Sequence, residues 1–318
     1  MKTYTPTVLL ITILLFWSCN NTENKDLPRV IVSSDIGGND PDDYQSMVHL
    51  FVYADRFDIA GLISSPPFAG RKEHIEEVLH AYAADYQKLK KHSDRFPDPQ
   101  SLSQVTKQGA IEVQKDSIPN EVSEGAQWII DQAKKSDNRP LYVLVWGSIT
   151  DVAQAVHHAP EVKKNLRVYS IGSWNTKQDP LARDYLYNHH PDLWWIENNT
   201  TFRGMYIGGY QQEDYGNRTF VERSVKDHGA LGKLFWEKKK DVKMGDTPSV
   251  LYFLHGDIEN PEGESWGGSF VKTGHGDLYW TDNPADSLME NERRGARTVN
   301  RFRQQYLDDW ARRMDWLK

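Results

Sequence analysis

The chain has 318 residues, 38% of them hydrophobic and 12% aromatic, which is enough for one large domain or two small ones. Formal net charge is -7, and its Lys and Arg residues are scattered, so it carries no nucleic-acid footprint. The single cysteine, Cys19, excludes an intramolecular disulfide.

The N-terminus reads as a targeting segment. Lys2 precedes the apolar stretch Val8–Trp17, which is short for a membrane span of ~20 residues and has the form of a signal h-region. Cys19 follows Ser18 directly and reads as the lipidated cysteine of a bacterial lipoprotein, although Phe16 and Trp17 are bulkier than the usual residues before it. An ordinary secretory signal with an incidental cysteine is the alternative. On the first reading residues 1–18 are a signal peptide and residues 19–27 a polar tether. Residues 28–318 then form one domain in the cell envelope, held outside the cytoplasm by lipid alone, in the periplasm or at the cell surface.

Arg29 to Ser34 reads as a buried strand. A dense acidic loop follows, with Asp35, Asp40, Asp42 and Asp43 in nine residues. Pro41 suits a first helical position and Asp40 a helix cap, with Tyr44, Met47, Val48 and Phe51 at helical spacing behind them. Phe57–Ile63 reads as a second strand and Ile75–Leu89 as an amphipathic helix. Residues 92–120 are polar and proline-containing, with no clear element. Ser123 caps an expected helix through Ala133. Leu141–Trp146, Leu166–Ile171 and Leu193–Ile196 read as further strands, with a helix from Asp151 and a last amphipathic helix over Val299–Leu317.

Strands alternating with helices predict an α/β fold with a mostly parallel central sheet flanked by helices. In such sheets ligands sit beyond the carboxyl ends of the strands. Three polar loops have that position: residues 35–43, 146–150 and 170–175. The acidic loop has two readings. Calcium takes about 6–8 oxygen ligands, and Asp35 and Asp43 can face one point, with Asp42 beside them to accept a proton. The same residues also make an ordinary helix start, with negative charge at the dipole's positive end. The spacing is not that of an EF-hand.

The stretch Arg29–Asp43 resembles the N-terminal motif of the nucleoside hydrolases. More closely, the chain is similar to a nucleoside-hydrolase-like family of extracellular bacterial proteins with cellulose-binding members. Val145–Gln154, Leu166–Ile171, Gly245–Tyr252 with Ser265–Gly268, and Trp310–Trp316 carry the rest of the resemblance. It implies a single Rossmann-like nucleoside-hydrolase fold. It also implies calcium held by Asp35, Asp43, Asp246 and the Trp146 carbonyl, with Asp42 as the base that activates water. The implied activity is calcium-dependent hydrolysis of N-glycosyl or related glycosidic bonds in a nucleoside or small glycoside. A non-catalytic carbohydrate-binding lipoprotein, with an oligosaccharide as partner, is the alternative.

The match has departures. Ser33 stands where these enzymes have an aspartate, and the loop after Asp35 is three residues longer. That insertion holds Asp40, either a further ligand or the cap. Gly245 stands where some members have a leaving-group histidine. His189, His190, His255 and His275 are substitutes by residue type alone. Asn175, Asp184 and Asn188 lie in the stretch where the family's sugar-binding residues are found. Trp174, Trp266 and Trp280 are candidates for stacking on a sugar or base, or for packing.

Overall fold

The computed structural model describes residues 26–38, 40–67, 70–113 and 115–318. The expected signal peptide, Cys19 and most of the tether lie outside the described residues.

Eight strands form one sheet in the order β3-β2-β1-β4-β5-β6-β8-β7. They are β1 (Arg29–Ser34), β2 (Asp58–Ser64), β3 (Thr106–Gln108), β4 (Leu141–Val145), β5 (Leu166–Ile171), β6 (Trp194–Asn198), β7 (Phe270–Lys272) and β8 (Tyr279–Asp282). All neighbours pair in parallel except β7 with β8. The domain is therefore a mostly parallel α/β unit, as the alternating pattern predicts.

Both faces of the sheet are covered, and the period-2 geometry of a strand divides its side chains between them. On β4, Tyr142 and Leu144 join one core while Leu141, Val143 and Val145 join the other. The larger core packs α1 (Asp42–Val52), α2 (Lys72–Lys90) and further helices against β1 and β2. The second core is closed by α4 (Glu124–Ala133), α5 (Thr150–His158) and α7 (Pro180–His189); the short α3 (Pro99–Gln104) precedes α4 in sequence and the short α6 (Trp174–Gln178) lies between α5 and α7. Ser123 caps α4 as its sequence predicts, accepting from Ala126 N at 2.9 Å.

The C-terminal half adds α8 (Asn217–Ser224), α9 (Gly229–Lys238), α10 (Thr247–Leu254), α11 (Arg297–Asn300) and α12 (Arg303–Met314). The last amphipathic pattern is thus two helices rather than one. At the break Arg303 is fully buried, and it donates to the carbonyls of Met205 and Tyr215 and to Asn217 Oδ1. Three acceptors satisfy a cation that an unbroken amphipathic face gives no reason to bury.

Trp310 is the aromatic centre of the larger core. It is 0% exposed, with ring centroids of Phe220, His49 and Phe235 at 5.2, 5.3 and 5.4 Å. Trp310→Ala is expected to cost about 3–5 kcal/mol in urea unfolding, the range for deleting a large buried aromatic. A loss under about 1 kcal/mol would contradict this packing.

Candidate functional site

The strand order turns back at β1, since β2 lies on one side of it and β4 on the other. This is the switch point at which α/β sheets open a crevice. Asp35 leaves the end of β1 there, Trp146 the end of β4, and residues 172–175 the end of β5.

The acidic loop is folded by its own residues. Gly38 N donates to the Asp35 carbonyl at 3.0 Å, closing a four-residue turn. Its third residue, Gly37, has φ +92, and a Cβ there would collide with the His74 ring. The chain then enters α1, whose first turn carries Asp42 and Asp43. Pro41 occupies the cap position, and no side chain caps the helix. Asp40 does not cap it: its carboxylate pairs with Lys243 instead. A long-range ion pair has displaced the local cap.

Ser34 Oγ donates to Asp43 Oδ1, fixing that carboxylate against the end of β1. Asp246 precedes α10 and places a further carboxyl group in the crevice. Asp42, Asp43 and Asp246 each offer an oxygen within 4.8 Å of the others. Asp35 adjoins them, close enough for its charge to raise both Asp43 and Asp246. Close backbone approach makes this possible. A Cβ on Gly147 would lie 2.9 Å from the Asp35 Cβ, and one on Gly245 would lie 2.9 Å from Asp42 Oδ2.

Burial and mutual repulsion raise all four carboxyl groups. Burial, then the charge of Asp42, pushes Asp35 up to about 7. Burial, then Asp43, pushes Asp42 up to about 7, while the Gly245 backbone N–H favours its charged form. Asp43 and Asp246 are raised well above the carboxylate range by burial and then by their neighbours. Asp246 Oδ2 is buried without a hydrogen-bond partner. Carboxylates this close stay ionised only if a cation joins them, and an all-oxygen donor set suits a hard divalent ion such as calcium. The residues present fit such an ion.

Trp146 contributes through both ends. Its indole Nε1 donates to Ser249 Oγ at 2.8 Å, tying the β4 loop to α10. Its carbonyl faces the same crevice and accepts from Asn175 Nδ2 at 2.7 Å, leaving a second lone pair. Asn175 thus stands at the site. Asp184 and Asn188 do not line this crevice. They border a separate open groove beside Tyr185 and His157, and Asp184 pairs with Arg183 at 3.1 Å.

No histidine lines the acidic crevice among the described residues. His275 stacks on Tyr187, His255 on Trp266, and His189 and His190 pack near Tyr185. Of the three tryptophans, Trp174 is 57% exposed and lines the crevice, while Trp280 is buried within β8. Trp266 bonds Gln305 at 3.3 Å.

The crevice holds about 450 Å³, within the range of small-ligand sites. Phe202, Arg203, Tyr206 and Lys243 line it too, and residue-type reasoning did not single them out. Three of the four follow the end of β6, so the rule that selected the other loops points to them once that strand is extended to Asn198.

Known proteins resemble this chain in fold and in sequence. Residues 29–270 match a family model described as cellulose-binding Sde182, nucleoside hydrolase-like domain. A solved nucleoside hydrolase-related protein from Saccharophagus degradans, associated with carbohydrate metabolism, is similar at a TM-score of 0.74 and 26% identity, covering 92% of this chain and 72% of that one. The inosine-uridine preferring nucleoside hydrolase from Bacillus anthracis aligns at a TM-score of 0.53 and 14% identity, over 90% of this chain and 100% of that one. The type III effector XopQ, solved with adenosine diphosphate ribose, aligns at 0.55 and 11%, over 92% and 94%. The last two share the fold alone. No curated protein matches the sequence.

Proposed function

Because the chain belongs to the nucleoside hydrolase-like domain family of cellulose-binding Sde182, we propose that it is a calcium-dependent hydrolase of N-glycosyl or related glycosidic bonds. The observation that carries this reading is the convergence of Asp35, Asp42, Asp43 and Asp246 in one crevice, with Asp246 Oδ2 buried and unpartnered.

Asp35, Asp43, Asp246 and the Trp146 carbonyl would hold the ion. When bound, calcium supplies positive charge that polarises an oxygen beside it and lowers the pKa of water. Asp42 accepts the proton of the attacking water. The Gly245 N–H holds its carboxylate in place and favours its charged form, the form a general base needs. Direct attack of water on the anomeric carbon inverts its configuration. Asn175, held by the Trp146 and Ile171 carbonyls at 2.7 and 3.0 Å, places its amide beside the sugar. Cys19 and the apolar run before it support a lipid anchor in the cell envelope, which mass spectrometry of the N-terminal peptide tests.

A second reading, carbohydrate binding without cleavage, is favoured by one observation. No histidine reaches the crevice among the described residues, and Gly245 stands beside Asp42. A panel of nucleosides and cello-oligosaccharides separates the two when each is assayed for binding by calorimetry and for release of reducing sugar. Release from at least one member is expected. Binding without release from any would establish the second reading.

A further inference from the structure

Arg203 is a half-buried cation in the wall of the crevice and forms no ion pair with a carboxylate among the described residues. Nη1 donates to the Asn199 carbonyl at 2.9 Å and Nη2 to Ser173 Oγ at 3.2 Å. The guanidinium carbon lies 4.5 Å from the centre of the Phe202 ring. A guanidinium has five N–H donors, so two bonds to neutral acceptors leave both charge and donors unmatched.

Other arginines of comparable or deeper burial are matched, the fully buried Arg303 by three neutral acceptors rather than two and the rest by carboxylates. Arg183 meets Glu197 at 2.7 Å, Arg139 meets Asp137 at 2.7 Å, and Arg313 pairs with Asp55. Lys243, the other cation lining the crevice, is paired with Asp40. Burial already disfavours the charged form of Arg203. A desolvated cation in a ligand-sized crevice is costly unless a ligand supplies the counter-charge. Its planar fork fits a carboxylate or a phosphate through two parallel hydrogen bonds.

The residue after Ser173 is Trp174, the largest exposed apolar surface at this site. Ser173 has φ 60 and ψ -100, a left-handed conformation held by Arg203 Nη2 and by its own N–H donating to Asn199 Oδ1 at 2.8 Å. Arg203 and the indole are therefore set on one wall by one turn.

We propose that the ligand of this crevice carries an anionic substituent, a carboxylate or a phosphate, which Arg203 binds while Trp174 stacks on the ring that bears it. The inference rests on the glycoside-binding reading of the site but does not require cleavage.

The test is calorimetry on the full-length, calcium-loaded protein with matched probes: glucose, glucuronate and glucose 6-phosphate, then ribose and ribose 5-phosphate. In the wild type, at least one anionic probe binds roughly 10- to 100-fold tighter than its neutral partner, the span expected for charge-assisted hydrogen bonds. Whether glucuronate or the phosphates show the gain identifies the anion. In Arg203→Gln the anionic-to-neutral ratio falls to within twofold, and Arg203→Lys restores part of it. Reading a ratio within one variant cancels any general loss of pocket shape. Equal binding of anionic and neutral probes in the wild type overturns the proposal. So does a ratio that Arg203→Gln leaves intact, because Arg203 then only braces the Ser173 turn. An anion preference without hydrolysis of any substrate sinks the enzyme reading alone. Hydrolysis of neutral substrates without an anion preference sinks the anion site alone.

Discussion

Asp42→Asn is expected to slow sugar release by 10²–10⁴-fold at saturating calcium, the usual loss when a general base is removed. Asparagine matches aspartate in size, and its Oδ1 can still accept from the Gly245 N–H. What disappears is the group that takes the proton. The reduction falls on kcat and kcat/KM together, as expected for an interaction made in the transition state. Asp42 also lies within 4.8 Å of the oxygens of Asp43 and Asp246, so a share in holding the ion is geometrically open to it. Calcium affinity of the same variant separates the roles. A proton acceptor loses turnover while calcium affinity changes only a few-fold, and a ligand loses both. Turnover within about threefold of wild type would remove Asp42 from the mechanism.

The second large effect is on stability, through pH and calcium together. Asp35 and Asp42 are pushed from an ordinary value of 3.8 to about 7 in the folded, metal-free protein. Between those values the folded chain binds more protons than the unfolded chain. The stabilisation from these groups is therefore complete below about pH 4 and is lost as pH rises through about 7. For one such group the rise from 3.8 to about 7 corresponds to roughly 4 kcal/mol. Calcium reverses the trend, because it binds the ionised carboxylates. At about a hundred times its dissociation constant it adds roughly 2.7 kcal/mol. Thermal melts of chelator-stripped protein should show Tm falling from pH 4 to pH 8, with calcium recovering it at pH 8. Asp43→Ala should abolish the recovery. A flat profile with no calcium response would show that the cluster is an ordinary helix start.

Much of this was legible before any coordinates. β1 and the acidic loop stood out because a buried strand ran into carboxylates too dense to ignore. The loops after β4 and β5 followed from the rule that such sheets bind beyond their strand ends. Trp146 and Asp246 were different, since neither residue type nor spacing marks a carbonyl ligand or a turn aspartate. Family resemblance supplied them, and the fold gathers them beside Asp43 in the same crevice.

What the sequence hid was non-local. α3 and β3 lie in the polar stretch assigned no element, and β3 is a three-residue strand defined by pairing with β2. Asp40 looked like a cap because its partner, Lys243, is some two hundred residues away. Asp184 and Asn188 were grouped with Asn175 by the stretch in which the family's sugar-binding residues are found, but α7 carries them to another groove. By residue type Trp280 was open to stacking on a ligand or to packing, and β8 decides for packing by burying it against Trp194 at 5.1 Å. Arg203 carried no signal of its own. Its unpaired charge is visible only once its neighbours are known.

A calcium-dependent hydrolytic centre in the acidic crevice makes turnover depend on calcium. The direct measurement is the rate of sugar release from an active nucleoside or glycoside as calcium is titrated into chelator-stripped protein. The rate should start near zero and saturate at one calcium per chain. A rate indifferent to calcium, or no release at any calcium concentration, would contradict it.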